Sequence, residues 1–192
     1  MTIGGWRFWL DTFTGIALIT AAALPVALLT ASALARWRMV TGSPTQWAWR
    51  RSLAEIGIIY GTVPFVWLTM LPGSRAGLVP GRVSLIPLRD LVTMPASQII
   101  GNLLVFAALG FLAPIRLSRL ASLPRILALA AAASASIEVA QYVLRLDRVS
   151  SIDDVLLNTA GAGLAALASR SWWRRRSAQP DPSDAGEELR TR

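Results

Sequence analysis

The sequence predicts an all-α fold, a polytopic transmembrane helix bundle with about five spans, and two observations carry this prediction. The chain has 192 residues, of which 54% are hydrophobic and only 16% are charged, whereas roughly a quarter of the residues in a soluble domain are charged. The apolar residues also fall into runs close to the ~20 residues that a helix needs to cross a bilayer. Cysteine and histidine are absent, which excludes disulfides, thiolate chemistry and the commonest general base.

Five apolar runs are the predicted spans. The first covers about 13–35 and the second about 53–71, and each contains a proline (Pro25 and Pro64) that a helix inside a bundle can accommodate. The first run is too long for the apolar part of a signal peptide, so we expect it to be retained. The other three runs cover about 98–115, 124–144 and 154–173. Tryptophans lie at the span edges, as is typical of the headgroup layer; they are Trp6, Trp9, Trp37, Trp47, Trp49, Trp172 and Trp173.

The spans divide the chain into three parts. Residues 1–82 are predicted to contain two transmembrane helices with a basic loop between them, and residues 83–173 a core of three transmembrane helices. Residues 174–192 begin with a basic run and continue as a tail rich in proline and acidic residues. Such a tail cannot bury enough apolar surface to offset the entropy of ordering, so we expect it to be disordered.

No internal repeat is apparent in the sequence. The hypothesis of a transporter built from inverted repeats therefore has no support.

The arginines predict the orientation of the bundle, since the chain contains no lysine. If the N-terminus lies outside, 13 arginines fall on the inner side and 6 on the outer side. Basic residues concentrate in cytoplasmic segments, so we expect the N-terminus outside and the C-terminus in the cytoplasm. Topology and anionic lipid headgroups explain the net charge of +8. Nucleic acid is therefore not an expected partner, whereas membrane lipids are.

Three of the spans contain polar residues that hydrocarbon tolerates poorly. They are Asn102 in the third span, Glu138 and Gln141 in the fourth, and Asp153, Asp154 and Asn158 at the start of the fifth. A carboxylate inside a bilayer costs at least ~3 kcal/mol, so such residues usually face a bundle interior and mark a functional site. In the predicted orientation all six lie at the extracytoplasmic ends of three consecutive helices. Arg148, in the loop between the last two spans, could pair with Asp153, Asp154 or Glu138.

Each of these residues also has a structural interpretation. An aspartate at the start of a helix can cap it, but side chains of Asp153 and Asp154 point about 100° apart, so we expect one of them to face the bundle. Glu138, Gln141 and Asn102 could form hydrogen bonds that only fix helix packing. Four further residues are interpreted as structural, with Glu55 as a paired interfacial carboxylate and Phe106, Gly110 and Gly161 as packing residues.

The order and spacing of these residues resemble the VanZ-like integral membrane proteins, a family named after a teicoplanin-resistance accessory protein. The resemblance covers about 83–168 and begins with the segment VSLIPLRDL at Val83 to Leu91. It continues with N-x-x-x-F-x-x-x-G from Asn102, with E-x-x-Q from Glu138, and with R-x-x-x-x-D-D-x-x-x-N-x-x-G from Arg148. The chain departs from the family pattern where Ala108 replaces a frequent proline, and where Ser84 and Leu88 replace a common Asn and Phe.

This resemblance implies a bacterial plasma-membrane protein of the cell envelope that lowers sensitivity to lipid-II-directed glycopeptides, with no established reaction. We predict an extracytoplasmic pocket that binds a lipid-linked or lipophilic ligand, such as a cell-wall precursor or a lipophilic glycopeptide. The predicted ligand-binding residues are Asn102, Glu138, Gln141, Arg148, Asp153, Asp154 and Asn158. No cofactor is expected for this function.

The alternative prediction is a metal-assisted membrane hydrolase or transferase that acts on a lipid-linked substrate. Its candidate catalytic residues are Glu138 as general base and Asp153 or Asp154 as ligand of a divalent ion. Oxygen ligands alone would favour Mg²⁺ or Mn²⁺ over zinc. Proton-coupled transport through Glu138 is the weakest hypothesis, because the polar residues do not continue across the bilayer.

Overall fold

The predicted helix bundle is confirmed by a computed structural model, which describes residues 13–177. The helices are α1 (Phe13–Val40), α2 (Thr45–Thr69), α3 (Ala96–Val105), α4 (Ala107–Arg116), α5 (Leu123–Val143), α6 (Ile152–Ala168) and α7 (Arg170–Ser177). A 3-10 turn (Ser118–Leu120) and two strands, β1 (Arg82–Ser84) and β2 (Val149–Ser151), complete the described elements. The predicted disordered tail beyond residue 177 and the edge residues Trp6 and Trp9 lie outside the described residues.

Within the described residues, four helical segments are long and apolar enough to cross a membrane. They are Thr14–Val40, Thr45–Thr69, Ala96–Arg116 and Leu123–Val143. The third includes both α3 and α4, which are separated at Phe106. The fifth predicted span corresponds to α6, whose 17 residues extend about 25 Å at ~1.5 Å per residue. It is shorter than the predicted run 154–173, because the helix ends at Ala168 and α7 follows after one residue.

Helix α6 lies at the centre of the bundle. It packs against α3, α4 and α5, while α2 packs against α4 on one side and α1 on the other. The buried core is built largely from small residues, so the helices approach one another closely. It consists of Val105, Phe106, Ala113, Ile126, Ala130, Ala162 and Ala166.

Two glycines mark the closest helix contacts. A Cβ atom on Gly161 of α6 would overlap the carbonyl oxygen of Leu103 in α3, and one on Gly110 of α4 would overlap that of Ala162 in α6. Small residues at such positions allow two helix backbones to touch. The predicted packing role of both glycines is confirmed, and the start of α6 is thereby held beside α3.

Paired charges join three helices at one end of the bundle. Glu55 of α2 accepts a hydrogen bond from Arg38 of α1 at 2.6 Å and another from the Nε of Arg116 in α4. Arg38 also donates to the Ser52 hydroxyl at 2.9 Å. The interpretation of Glu55 as a paired carboxylate is confirmed. We call this end, defined by Arg38, Glu55 and Arg116, the arginine end.

The opposite end, which we call the polar end, is where α2 and α5 finish and α3 and α6 begin. There β1 and β2 form a parallel pair in which Arg82 faces Val149 and Ser84 faces Ser151. The all-α prediction missed these strands, because three-residue strands that are distant in the chain leave no local periodicity. The pairing fixes the loop before α3 against the loop before α6, and thereby positions the residues of the site.

Candidate functional site

The polar end brings together the polar side chains of three helices. Asn102 of α3 donates a hydrogen bond to Asp154 Oδ1 of α6 at 2.5 Å. The backbone N–H of Ser151 donates to Glu138 Oε2 of α5 at 2.9 Å, and the Ser150 hydroxyl donates to the Glu138 carbonyl at 2.8 Å. The predicted gathering of these groups at one end of the bundle is therefore observed, with β2 as the link between α5 and α6.

Asp153 has a different environment from its neighbour Asp154. Its side chain is only 1% exposed, and Oδ1 accepts a hydrogen bond from the backbone N–H of Leu88 at 2.5 Å. Oδ2 accepts from the N–H groups of Asp90 at 2.9 Å and Leu91 at 3.1 Å. Leu88 adopts the left-handed conformation, with φ at 66°, which turns the loop around the carboxylate. Both oxygens thus hold the 88–91 loop on the start of α6.

Helix α6 is capped by a serine and not by either of the two aspartates. The Ser151 hydroxyl accepts a hydrogen bond from the Asp153 N–H at 3.2 Å, the pattern of an N-cap. The same hydroxyl donates to Asp90 Oδ2 at 2.7 Å. The structural alternative, in which one of the two aspartates caps the helix, does not hold, because the serine one residue before α6 already occupies that role.

Asp90 is a member of the site that sequence reasoning missed. Hydrogen bonds from the hydroxyls of Ser151 and Ser84 lower the pKa of Asp90 below its ordinary value of 3.8. The ionised form is therefore favoured in the folded protein, and this contribution to stability is lost as the pH falls below 3.8. The only signal in the sequence was its position in VSLIPLRDL. We refer to Asp90, Glu138, Asp153 and Asp154 as the carboxylate cluster.

Arg148 and Gln141 both contact the end of α2. Arg148 donates from Nε to the Leu71 carbonyl at 3.0 Å and from Nη2 to the Leu68 carbonyl at 3.3 Å. Gln141 Nε2 donates to the Thr69 carbonyl at 2.8 Å. The Gln141 contact satisfies the Thr69 carbonyl, one of the groups that the end of a helix leaves without intrahelical partners. Among residues 13–177 Arg148 forms no ion pair with a carboxylate.

Asn158 and Ser134 form a buried polar contact between α5 and α6, one helical turn deeper than the carboxylates. Asn158, which is 2% exposed, donates to the Ser134 hydroxyl at 2.7 Å. Its Oδ1 atom is buried and accepts no hydrogen bond from the described residues. A buried acceptor without a partner costs ~1–3 kcal/mol. A donor group that reached this depth would therefore bind favourably.

The unused hydrogen-bonding capacity of the site consists of acceptors. Glu138 Oε1 and Asp154 Oδ2 accept no hydrogen bond from residues 13–177, although both side chains are partly or fully buried. By contrast, Asn102, Gln141 and Arg148 already donate to neighbouring groups. The geometry thus complements a ligand that presents N–H, O–H or ammonium groups, rather than a phosphate that would need free donors.

The hydrogen bonds of the carboxylates also limit which of them could coordinate a metal ion. In the part of the chain that the structure describes, no group of three or more Asp, Glu, His or Cys side chains is arranged to hold a metal ion. Asp153, a predicted ligand, has both oxygens engaged by backbone donors. The oxygen atoms around Asp154 are therefore less suited to coordinate a metal ion than to accept hydrogen bonds from a ligand.

Comparison with known proteins agrees with the motif analysis. A family model described as VanZ/LLP1 matches residues 31–173, which is well over half of the chain and includes the whole carboxylate cluster. No curated protein and no solved structure matches the chain.

Proposed function

Because the chain belongs to the VanZ/LLP1 family of membrane proteins, we propose that it lowers the sensitivity of a bacterial cell to glycopeptide-type antibiotics. In this proposal it lies in the plasma membrane with the N-terminus outside and the C-terminus in the cytoplasm, as the arginine distribution indicates. The polar end then faces the extracytoplasmic side, where such antibiotics act. The observation that carries the proposal is the pair of unpartnered carboxylate oxygens on Glu138 and Asp154.

The proposed ligand is a lipid-linked cell-wall precursor or a lipophilic glycopeptide. Both classes present amide N–H and hydroxyl donors, which suit the acceptors of the carboxylate cluster. The pyrophosphate that joins a precursor to its apolar tail would lie outside this cluster, because the cluster offers no free donors. An open cavity of about 470 Å³ adjoins the cluster through Asp90. Its lining includes Leu85 and Ile86, which are 73% and 56% exposed. This apolar surface beside the carboxylates supports a ligand with both a polar and an apolar part.

A second candidate is a hydrolase or transferase that acts on the same lipid-linked substrate. It is supported by Glu138, whose Oε1 atom has no donor among the described residues and is therefore able to accept a proton. The two candidates differ in turnover. An enzyme converts the bound precursor, and its Asp154→Asn variant would bind the precursor without converting it. A binding protein would show no conversion in the wild type or in any variant.

Antibiotic susceptibility tests this proposal. In a susceptible strain that expresses the protein, we expect Glu138→Gln and Asp154→Asn to reduce the minimum inhibitory concentration of a lipophilic glycopeptide to the level of the empty vector. Each substitution replaces one carboxylate oxygen, which can accept a hydrogen bond, by an NH₂ group, which can only donate. A ligand donor left without an acceptor costs ~1–3 kcal/mol, about 5- to 150-fold in affinity.

Asp147→Asn is the matched control. Asp147 lies at the same end and accepts a hydrogen bond from the Arg75 N–H at 3.1 Å, but it is not part of the carboxylate cluster. We expect this variant to protect as well as the wild type. Full protection by Glu138→Gln and Asp154→Asn, at equal membrane levels, would contradict the proposed role of the polar end.

A further inference from the structure

A second cavity lies at the opposite end of the protein, near the arginine end. It has a volume of about 330 Å³ and is bounded by α2, α4 and α7. Its lining is apolar except for one arginine, and consists of Arg50, Leu53, Ala54, Leu112, Ile115 and Trp172. The cavity is open to the surroundings of the protein, because Leu53 is 48% and Trp172 52% exposed.

The walls of this cavity are held in place by close contacts. Next to it, α2 and α4 meet at Gly57, where an added Cβ atom would lie 2.7 Å from Leu112 Cδ1. On the other side, the rings of Trp172 and Phe111 pack edge to face with their centroids 5.3 Å apart. The cavity is thus a groove with fixed walls between two membrane-crossing helices and α7.

Arg50 has no partner among residues 13–177, in contrast to three arginines near it in this part of the bundle. Arg38 and Arg116 bind Glu55, and Arg51 lies over the Trp47 ring with its guanidinium carbon 5.9 Å from the centroid. Arg50 is exposed and forms no ion pair or hydrogen bond within residues 13–177. Its charge is therefore available at the rim of the groove.

We propose that this groove binds an anionic phospholipid. The phosphate pairs with Arg50, and one acyl chain lies along Leu53, Leu112, Ile115 and Trp172. Two observations select this occupant. The groove lies between helices that cross the bilayer, so acyl chains surround it, and an unpaired guanidinium at headgroup level attracts phosphate. The site is separate from the carboxylate cluster, and it does not depend on the function proposed for the polar end.

Lipid retention tests this proposal. The full-length protein is solubilised in a mild detergent, incubated with equal amounts of phosphatidylglycerol and phosphatidylcholine, and analysed by native mass spectrometry. We expect the wild type to retain phosphatidylglycerol in preference to phosphatidylcholine. Arg50→Gln is expected to reduce this retention about fivefold, as one basic residue near a membrane surface contributes ~1 kcal/mol.

Two further variants distinguish the contribution of the Arg50 charge to lipid retention from that of the apolar groove. Arg51→Gln removes the neighbouring positive charge outside the groove and is expected to retain phosphatidylglycerol like the wild type. Leu53→Trp keeps Arg50 but fills the mouth of the groove, and is expected to lose retention. Equal retention of the two lipids by the wild type, equal losses in Arg50→Gln and Arg51→Gln, or full retention by Leu53→Trp would each overturn the proposal.

Discussion

Asp153→Asn is expected to destabilise the protein by about 3 kcal/mol, whereas Asp154→Asn is expected to leave its stability nearly unchanged. Both oxygens of Asp153 accept hydrogen bonds from backbone N–H groups, so either orientation of an amide would direct an NH₂ group at a donor. A buried donor without an acceptor costs ~1–3 kcal/mol. Asp154 has one hydrogen-bonded oxygen, facing Asn102, and the carbonyl oxygen of an amide can replace it.

Thermal denaturation of the detergent-solubilised protein measures this difference. A loss of ~3 kcal/mol corresponds to a decrease of roughly 6–12 °C in melting temperature for a chain of this size. The two variants carry the same chemical change at adjacent positions, so each is the control for the other. Equal melting temperatures for Asp153→Asn and Asp154→Asn would show that Asp153 does not hold the 88–91 loop.

Gly161→Ala is expected to destabilise the bundle by about 3 kcal/mol or more. The added methyl group would overlap the carbonyl oxygen of Leu103, which belongs to the backbone of α3 and cannot rotate away. The two helices would have to separate, and overpacking of this kind costs ~1–3 kcal/mol, occasionally more. Their separation would also pull Asp154 away from Asn102, so the site and the fold are expected to fail together.

Gly101→Ala is the control for this prediction. Gly101 is also helical, but an added Cβ atom there would have no neighbour within 4 Å. Alanine favours a helix over glycine by ~0.5–1 kcal/mol, so we expect Gly101→Ala to be neutral or slightly stabilising. Opposite changes in melting temperature for the two variants support the close contact of α6 with α3. A Gly161→Ala protein that melts like the wild type would contradict it.

The membrane-crossing helices could be predicted because their signal is local. An apolar run of about 20 residues must form a helix in a bilayer, whatever it packs against. The strand pair could not be predicted, because the pairing of Arg82 with Val149 depends on two loops that meet only after the helices have packed. The boundary of the last span was also misplaced, since its helix ends at Ala168, where the polar residues Ser169, Arg170 and Ser171 interrupt the apolar sequence.

The candidate site could be predicted in its members but not in their partners. Glu138 and Asp154 were recognisable because carboxylates are rare in apolar spans. Asp153 binds the 88–91 loop, whereas Asp154 binds Asn102. This difference depends on the left-handed turn at Leu88, which nothing in the local sequence indicates. Similarly, a loop arginine such as Arg148 can reach either a carboxylate or the carbonyls of a neighbouring helix, and only the packed structure distinguishes the two.

The most direct test of the proposed ligand site is native mass spectrometry of the gently solubilised protein, with the wild type beside the double variant Glu138→Gln/Asp154→Asn. Replacing the two carboxylates by amides leaves the Asp153 contacts and the helix packing intact, so we expect both proteins to be folded. A polyprenyl-linked or other lipid species that co-purifies only with the wild type is the predicted result. Identical bound species in the wild type and the folded double variant would contradict a ligand site at the carboxylate cluster.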